Sequence, residues 1–487
     1  MKKSRLYFLS FTEGAAVMAA EICSARLIAP FYGSSLYVWS SVMAVTLGGL
    51  ALGYFMGGRF SLRENRMRAL RLVVLMAMLS LVMMPVESRL FFVIALHAPL
   101  IPAVIGSVVL LLFPVMFFMG ATSPLIISCL TQEAGRSGEN SGRVYAVSTC
   151  GGILATFACG FYTIPEFGIT LTLMGFAILL ALAWLLNLGH TGRVKNAGLL
   201  LLPAIISVYG FISAPKHPNT IYESDGIMGK LEIRDEPSSQ ANGVVIRKLL
   251  INTIVQTEMD LGTRQSVSDY AHLLAKNNLY MPKGKVLLMG LGGGVIANML
   301  HDEGYDVTAV EFDQRIMDVA RRFFYMNPEI HGVCDDARHY LNEGNGYYNL
   351  VIFDIFKAEE QPAHVLTREG LQQLKKHIDT SSVVIINTHG YLKGIKGAGT
   401  QCMLATLREA GFDVKICPTN DNEDYRNVLI YASLKTFQVS LHNESYPIEI
   451  ENAALINTDG KPVLEKLNAP ANQAWRSNYI RNYITRY

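Results

Sequence analysis

Residues 284–313 read GKVLLMGLGGGVIANMLHDEGYDVTAVEFD, and this stretch decides the fold of the second half of the chain. The apolar run Val286–Met289 predicts a buried strand, the glycines after it predict a tight turn, and Val295–His301 predicts a helix. A second strand, Val307–Val310, ends at Glu311. This order and spacing are typical of a nucleotide-binding βαβ unit.

The glycines and the acid have distinct tasks in such a unit. Gly290, Gly292 and Gly294 let the backbone approach a ligand, and Glu311 is placed to bind ribose hydroxyls. The alternative interpretation is that the glycines serve only the packing of the strand on the helix.

Strands and helices continue to alternate after this unit. The stretches VCDDARHYL (333–341) and YYNLVIFDIF (347–356) predict a short third strand and a strongly apolar fourth strand. Two helices, at 366–378 and 398–410, and three strands, at 382–388, 412–417 and 427–433, complete the pattern. The pattern predicts a seven-stranded, doubly wound, Rossmann-like α/β domain of the methyltransferase type.

Three acids fall at the ends of predicted strands. Asp336 follows the third strand and Asp354 ends the fourth, so both join Glu311 at the carboxyl edge of the sheet, where ligands of such folds bind. Three acids suit adenosine hydroxyls, an adenine amino group and a cation, and they do not suit a pyrophosphate. No Cys/His cluster has the spacing of a zinc site, so no metal is expected.

The first half of the chain has a different composition. Residues 1–215 contain 14 Lys and Arg, 7 Glu and no Asp, a net charge of +7, whereas the remainder carries −5. Its apolar runs approach the roughly 20 residues that cross a bilayer. Candidate spans lie near 7–29, 36–57, 69–86, 99–130, 144–164, 168–188 and 196–213. This composition excludes a small secreted scaffold, a disordered protein and a wholly soluble enzyme.

The number of spans decides where the second half lies. The basic N-terminus and the basic loop 59–71 predict that both face the cytoplasm. The run at 99–130, with 89–97, makes one or two crossings, so the total is seven or eight. Seven would place the second half outside. Eight would place it in the cytoplasm, where the substrates inferred below are made, and this chemistry therefore favours eight. We expect an inner or plasma membrane protein with a cytoplasmic soluble half.

The first span contains two acids, which are costly within a membrane. Glu13 and Glu21 lie about 80° apart around the helix, and Arg26 follows near its end. Glu21 is expected to be the deeper acid, facing the bundle interior. One interpretation is pairing with Arg26 or a neighbouring helix, and the other is a site for a cation such as a polyamine. Likewise, the small residues at 47–58 and 148–160 indicate either close helix packing or a substrate path.

Residues 216–260 alternate and turn, which predicts a small antiparallel β unit before the Rossmann domain at 261–435. The tail 436–487 ends in an aromatic and basic stretch. A helix there docks either on the domain, which we favour, or on the membrane interface.

These motifs resemble the membrane-fused members of the spermidine synthase (polyamine aminopropyltransferase) family. The resemblance covers about residues 1–435 and rests on these stretches of the sequence: VLLMGLGGGVIANML, VTAVEFD, DDARHYL, YNLVIFD, QPAHVLTREG (361–370), AAEICSARLIAPFYGSS, TLGGLALGYFMGGR and FMGATSPLI. It implies an aminopropyl transfer from decarboxylated S-adenosylmethionine to a diamine such as putrescine, with no tightly bound cofactor.

The resemblance also implies roles for individual residues. Glu311 would bind the donor's ribose, Asp336 and Ala337 the adenine edge, and Asp354 would take the proton of the attacking amine. Gln256 and Tyr270 lie where the family has its pocket-lining glutamine and tyrosine.

Several positions depart from the family pattern. Gly293 stands where an aspartate usually lies within the glycine turn, and Lys357 replaces a second aspartate. Ala271 and His272 follow Tyr270 where the family has histidine and glutamate. Because a glycine would not repel a carboxylate, intact S-adenosylmethionine remains an alternative donor. Glu359 and Glu360 either restore binding of the acceptor amine or form a solvated loop.

Three hypotheses remain open on the sequence. The first is the aminopropyltransferase, and the second is a methyltransferase or a sulfonium-cleaving enzyme that consumes S-adenosylmethionine. The third is a transporter or sensor gated by a polyamine or nucleoside. The expected partners are a small amine and the lipid bilayer, with no nucleic acid, and a homodimer is left open.

Overall fold

The computed structural model divides the chain into two compact units, residues 1–217 with 224–229, and residues 218–223 with 230–487. It describes residues 3–32, 36–87, 100–131, 136–187, 197–212, 217–226, 228–238, 243–276, 283–356, 361–435, 447–451 and 454–479.

The first unit is helical. Its helices are α1 (Lys3–Tyr32), α2 (Leu36–Ser61), α3 (Arg66–Glu87), α4 (Leu100–Leu130), α5 (Ser137–Ala158), α6 (Ile164–Leu186) and α7 (Leu201–Ile212). A π-helical turn, Cys159–Thr163, joins α5 to α6, and a 3₁₀ turn, Ala197–Leu200, precedes α7.

Helices α1 and α5 run parallel in close contact. The Ser10 hydroxyl donates to the Val144 carbonyl oxygen at 2.9 Å, and the Ser148 hydroxyl donates to the Glu13 carboxyl at 3.0 Å. From the first contact to the second, the residue numbers increase along both helices, so the two helices point in the same direction. A Cβ on Gly14 would lie 2.0 Å from the Ser148 carbonyl oxygen, so the glycine permits this approach.

Glycines also seat α2 on α4, which run parallel. A Cβ on Gly49 would lie 2.7 Å from Met116, and one on Gly57 would lie 2.4 Å from the Ala121 carbonyl oxygen. The small residues at 47–58 therefore pack helices together, as one of the two sequence interpretations held.

The chain reverses between α5 and α6. Gly168, with φ +75° and ψ 175°, interrupts the helical backbone near the start of α6. The end of α6 returns to the start of α1, where the Asn187 amide donates to the Arg5 carbonyl oxygen at 3.2 Å. Likewise α3 starts where α4 ends, since the Arg66 guanidinium donates to the Ser128 carbonyl oxygen at 2.7 Å. The six helices α1–α6 therefore alternate in direction.

The described residues contain fewer long apolar helices than the seven or eight predicted spans. Among the described residues, five helical stretches are long and apolar enough to cross a membrane, and the fifth, Ser137–Leu186, holds both α5 and α6. The run at 99–130 forms the single helix α4, whose 31 residues extend about 46 Å, while 89–97 lies outside the described residues. Helix α7 has 12 residues, about 18 Å, which is shorter than a bilayer core of roughly 30 Å.

A small four-stranded sheet precedes the Rossmann domain. Its strands β1 (Thr220–Gly226), β2 (Gly229–Pro237), β3 (Val245–Ile251) and β4 (Ile254–Asp260) pair in chain order. The β2–β3 and β3–β4 pairs are antiparallel, and α8 (Asp269–Lys276) follows.

The predicted seven-stranded sheet is confirmed. Its strands are β5 (Lys285–Met289), β6 (Asp306–Glu311), β7 (His331–Cys334), β8 (Leu350–Phe353), β9 (Val383–His389), β10 (Asp413–Pro418) and β11 (Asn427–Ser433). They lie in the order β10-β11-β9-β8-β5-β6-β7. Strands β5 to β9 are parallel, and β11 is antiparallel to both of its neighbours.

Two apolar cores cover the two faces of this sheet. Leu288 on β5 packs in the core that includes α8, α9 (Val295–Asp302) and α10 (Gln314–Phe323). Its neighbour Leu287 points to the other core, which includes four more helices. These helices are α11 (Ala337–Glu343), α12 (Arg368–Leu374), α13 (Gly394–Glu409) and α14 (Leu464–Tyr479). Strand residues therefore alternate between two buried faces, as a doubly wound sheet requires.

The glycine turn generates a stability prediction. Gly290 has φ +88°, and a Cβ there would lie 2.2 Å from the Asp354 carbonyl oxygen. Gly304 has φ +89° but open space around it. We expect Gly290→Ala to lower the free energy of unfolding by roughly 3 kcal/mol, and Gly304→Ala, which adds only backbone strain, by roughly 1 kcal/mol.

Thermal unfolding of the purified full chain measures this difference. The Gly290→Ala variant should melt several degrees below the Gly304→Ala variant, because about 1 kcal/mol shifts a domain of this size by about 2–4 °C. Equal melting temperatures would show that the turn does not press against the end of β8.

Candidate functional site

The glycine turn lies at the carboxyl ends of β5 and β8. Gly290, Gly292 and Gly294 all have positive φ, in the left-handed region that favours glycine. The Gly290 amide donates to the Val310 carbonyl oxygen at 2.9 Å, and the Asp354 amide donates to the Met289 carbonyl oxygen at 2.9 Å. The turn is therefore fixed against the strands on both sides.

Glu311 ties the turn to the second strand. One carboxyl oxygen accepts the Leu291 amide at 3.1 Å and the other accepts the Asp313 amide at 3.0 Å. The residue is only 7% exposed, and burial raises the pKa of its carboxyl. A carboxylate offers about four lone-pair sites, so two backbone bonds leave acceptor capacity for a ligand hydroxyl.

Asp336 begins α11 as its N-cap. One oxygen accepts the backbone amides of Arg338 at 2.9 Å and His339 at 3.1 Å, and the other lies 3.0 Å from Nε2 of His364. The hydrogen bond with His364 is the largest cause that lowers the pKa of the Asp336 carboxyl. Ala337 follows as the first, buried residue of the helix. Both residues lie at the edge where the resemblance places the adenine.

Asp354 lies just beyond the end of β8, surrounded by protein but partly exposed. Burial raises the pKa of its carboxyl to about 6, although hydrogen bonds from Asn387 and Tyr270 lower it. The Asn387 amide donates to Asp354 Oδ1 at 2.8 Å. An acid with this pKa is mostly a carboxylate at neutral pH and readily accepts a proton.

Asn387 is itself held in place. Its side-chain oxygen accepts the Asn427 amide at 2.9 Å, and its backbone carbonyl accepts the Gln361 amide at 2.5 Å. With its side-chain oxygen bound to an amide donor, Asn387 presents its own NH₂ group to Asp354.

The small sheet supplies a further wall. Thr257 on β4 accepts the Gly293 amide at 2.8 Å, so this strand lies directly against the glycine turn. Gln256 is the preceding residue of β4, and its amide donates to the Ile254 carbonyl oxygen at 3.4 Å. Tyr270 reaches Asp354 from α8, and burial raises the pKa of its hydroxyl. The structure thus brings Tyr270 to Asp354, while Gln256 is the strand neighbour of the residue that contacts the turn.

Gly293 occupies a closed position. A Cβ there would lie 2.9 Å from the Phe324 ring and 2.9 Å from the Thr257 methyl group. An aspartate would not fit there without displacing one of these side chains.

The described part of the tail closes over the same edge. Helix α14 packs against α13, and its Trp475 contacts Ile254 and lies 5.5 Å from the ring of His389. His389 lies 5.6 Å in turn from Phe356, two residues beyond Asp354. Helix α14 of the tail therefore docks on the Rossmann domain, as we favoured over docking on the membrane interface.

Some expected site residues lie elsewhere or beyond description. Lys357, Glu359 and Glu360 lie outside the described residues. The sequence did not predict three contacts of the site: Asn387 with Asp354, Thr257 with the glycine turn, and His364 with Asp336. Of these residues, only Asn387 could have been found from the sequence, because it is a polar residue at the end of an apolar strand on the ligand-binding edge.

The strand order and the acids at the carboxyl edge define a methyltransferase-type Rossmann domain. No protein-family profile matches the chain. The polyamine aminopropyltransferase of Vibrio vulnificus (strain CMCP6) is 30% identical over 131 residues, which are 24% of this chain and 42% of that protein. A probable polyamine aminopropyl transferase of Bifidobacterium longum (strain NCC 2705) is 23% identical over 171 residues, 35% of this chain and 37% of that protein.

Solved structures include a probable spermidine synthase from Corynebacterium glutamicum ATCC 13032. It is 17% identical with a TM-score of 0.41, and the match covers 50% of this chain and 98% of that one. The chain spans less than half of the curated relatives' length. The chain is similar to the spermidine synthase-like family, and the resemblance predicted from its motifs is confirmed.

The contact between Asn387 and Asp354 generates a prediction. Removing the amide with Asn387→Leu deletes a hydrogen bond to the charged carboxylate, which is worth roughly 1.5–3 kcal/mol. We expect the pKa of Asp354 to rise from about 6 by roughly one to two units. Carbon-13 NMR of labelled aspartate carboxyls in the full chain measures the titration.

Thr388→Val serves as the matched control, because this neighbouring buried residue of β9 bonds to Gln361 rather than to Asp354. It should leave the Asp354 titration in place. An unchanged pKa in Asn387→Leu would contradict the assigned contact.

Proposed function

We propose that the protein is a membrane-bound aminopropyltransferase, which transfers an aminopropyl group from decarboxylated S-adenosylmethionine to a diamine such as putrescine. The observation that carries the proposal is Asp354, a carboxyl with a pKa of about 6 held by Asn387 and Tyr270 beside the glycine turn. The similarity to proteins named polyamine aminopropyltransferases supports it.

The reaction needs a base and correct positioning. The neutral amine nitrogen attacks the aminopropyl carbon bonded to the sulfonium, and the C–S bond breaks. The sulfur leaves as a neutral thioether, 5′-methylthioadenosine. The nitrogen, now bonded to carbon, releases one proton to the Asp354 carboxylate, and the carboxyl returns this proton to solvent. The remaining task of the site is to hold two cations close together in an acidic pocket.

The donor side is built from the turn and the two edge acids. Glu311 would accept the ribose hydroxyls with the lone pairs that its two backbone bonds leave free. Asp336 would face the adenine amino group, and His364 and the start of α11 hold this carboxylate in place. The acceptor side would be formed by Gln256, Tyr270, Glu359 and Glu360.

A second candidate follows from Gly293. No acid lies at this position of the turn, and the space around it is closed by Phe324 and Thr257. An enzyme that consumes intact S-adenosylmethionine would need no acid there. Product identification separates the two candidates, because methyl transfer leaves S-adenosylhomocysteine and aminopropyl transfer leaves methylthioadenosine.

We also propose that the helical unit spans the membrane and that the soluble half faces the cytoplasm. Six alternating helices return the chain at residue 187 to the side of the N-terminus, which the basic residues assign to the cytoplasm. Helix α7 is too short to cross an unthinned bilayer core and would lie at its interface. This arrangement gives the soluble half access to its cytoplasmic substrates without the eighth span that the sequence suggested.

The catalytic proposal predicts the effect of one substitution. Asp354→Asn keeps the shape of the side chain but removes the proton acceptor, so turnover with decarboxylated S-adenosylmethionine and putrescine should fall by roughly 10²–10⁴-fold. Donor affinity, measured by calorimetry, should change little. In the wild type, turnover should rise as the pH passes about 6, because the carboxylate form of Asp354 is the active one, and should rise again as the amine loses its proton at higher pH.

Mass spectrometry of the products, with and without putrescine, makes the assay specific. The conservative variant Thr388→Val should keep wild-type turnover. Wild-type turnover in Asp354→Asn would exclude the base role. Donor consumption without putrescine would favour the sulfonium-cleaving alternative.

The orientation is tested at Cys334, an exposed cysteine of the soluble half. A maleimide that does not cross membranes should leave Cys334 unlabelled in intact cells and label it after permeabilisation. Cys334→Ser identifies the labelled site. Labelling in intact cells would place the soluble half outside and α7 across the membrane.

A further inference from the structure

Glu13 is the buried acid of the helical unit. Its residue is 3% exposed, whereas Glu21 on the same helix, which the sequence suggested as the deeper acid in the membrane, is partly exposed. The reason is the close approach of α1 and α5 at Gly14, which covers Glu13 with the backbone of α5. A carboxyl placed inside a bundle in this way is costly to keep unless it has a partner.

Two hydroxyls from two other helices converge on this carboxyl. Ser148 of α5 donates to Glu13 Oε2 at 3.0 Å, and Ser123 of α4 also bonds to it. Ser123 is 2% exposed. Tyr54 of α2 lies within electrostatic range of Glu13 and packs edge-on against Tyr145, with ring centroids 6.4 Å apart. Three helices, α1, α4 and α5, therefore contribute to one polar site.

No cation of the chain supplies the missing charge among the described residues. None of the ion pairs between described side chains includes Glu13. Arg26, the partner considered from the sequence, is 13 positions further along α1, about 20 Å away. The Glu13 site is thus an acidic site with no counter-ion among the side chains that the structure describes.

We propose that Glu13, Ser123 and Ser148 bind the ammonium group of an aliphatic amine within the helical unit. One carboxylate and two hydroxyls provide three oxygen acceptors, and a primary ammonium has three N–H donors. Hard metal cations prefer six or more oxygen ligands, which this site does not offer among the described residues.

This inference rests on the proposed function in two respects: the insertion of the helical unit in the membrane, and the class of amine that binds. It adds a second amine site, separate from the acceptor site at Asp354. Its chemistry fits the substrate or the product of the proposed transferase, so the helical unit would sense or conduct the same amines that the soluble half uses.

The number of amine sites per chain tests the proposal. Radiolabelled putrescine and spermidine are bound to saturation by the purified full chain in detergent, and wild type is compared with Glu13→Gln. If both proposals hold, the wild type binds two amines per chain and Glu13→Gln binds one. If the transferase proposal alone fails, the wild type binds one amine per chain and Glu13→Gln binds none. Equal numbers in the two proteins overturn the Glu13 site, including the case in which Glu13 takes only a proton.

Three further variants keep the result interpretable. Glu21→Gln, on the same helix but partly exposed, should keep every amine site. Glu13→Asp should keep the site with about tenfold weaker binding, and so should Ser148→Ala, which keeps the charge but loses one acceptor. Unchanged donor affinity and a single elution peak establish that Glu13→Gln is folded. Loss of an amine site in Glu21→Gln, or wild-type affinity in both Glu13→Asp and Ser148→Ala, would also contradict the proposal.

Discussion

The close approach of the glycine turn to the end of β8 is the constraint on which the site depends. Gly290 lies against the backbone of Asp354, and a single Cβ would fill the space between them. Because of this contact, the turn, Glu311 and Asp354 share one edge of the sheet with fixed spacing. The acids keep their positions through hydrogen bonds to the backbone, which preorganise the site.

Much of the fold was predictable because it is local in sequence. The glycine turn, the seven strands and the acids at their ends follow from hydrophobic runs and turn residues. The contacts around the acids were not predictable, because Asn387 and Thr257 reach the site from elements 33 and 36 residues away from their partners. No periodicity in the sequence specifies such pairs.

The helical unit shows the opposite balance. Composition located its apolar helices, but where the chain turns depends on single residues. Gly168 interrupts the helical backbone near the start of α6, and neither length nor hydropathy marks this point sharply. The burial of Glu13 likewise depends on Gly14, whose missing side chain lets α5 approach and cover this acid.

The closed position at Gly293 also limits how the site can change over evolutionary time. Phe324 and Thr257 fill the volume that an acidic side chain would need. A single substitution that restores the acid would meet both groups and disturb the bond between Thr257 and the turn. A lineage that has reached this arrangement therefore returns to the acidic turn only through several coordinated replacements, and donor preference is expected to persist among its descendants.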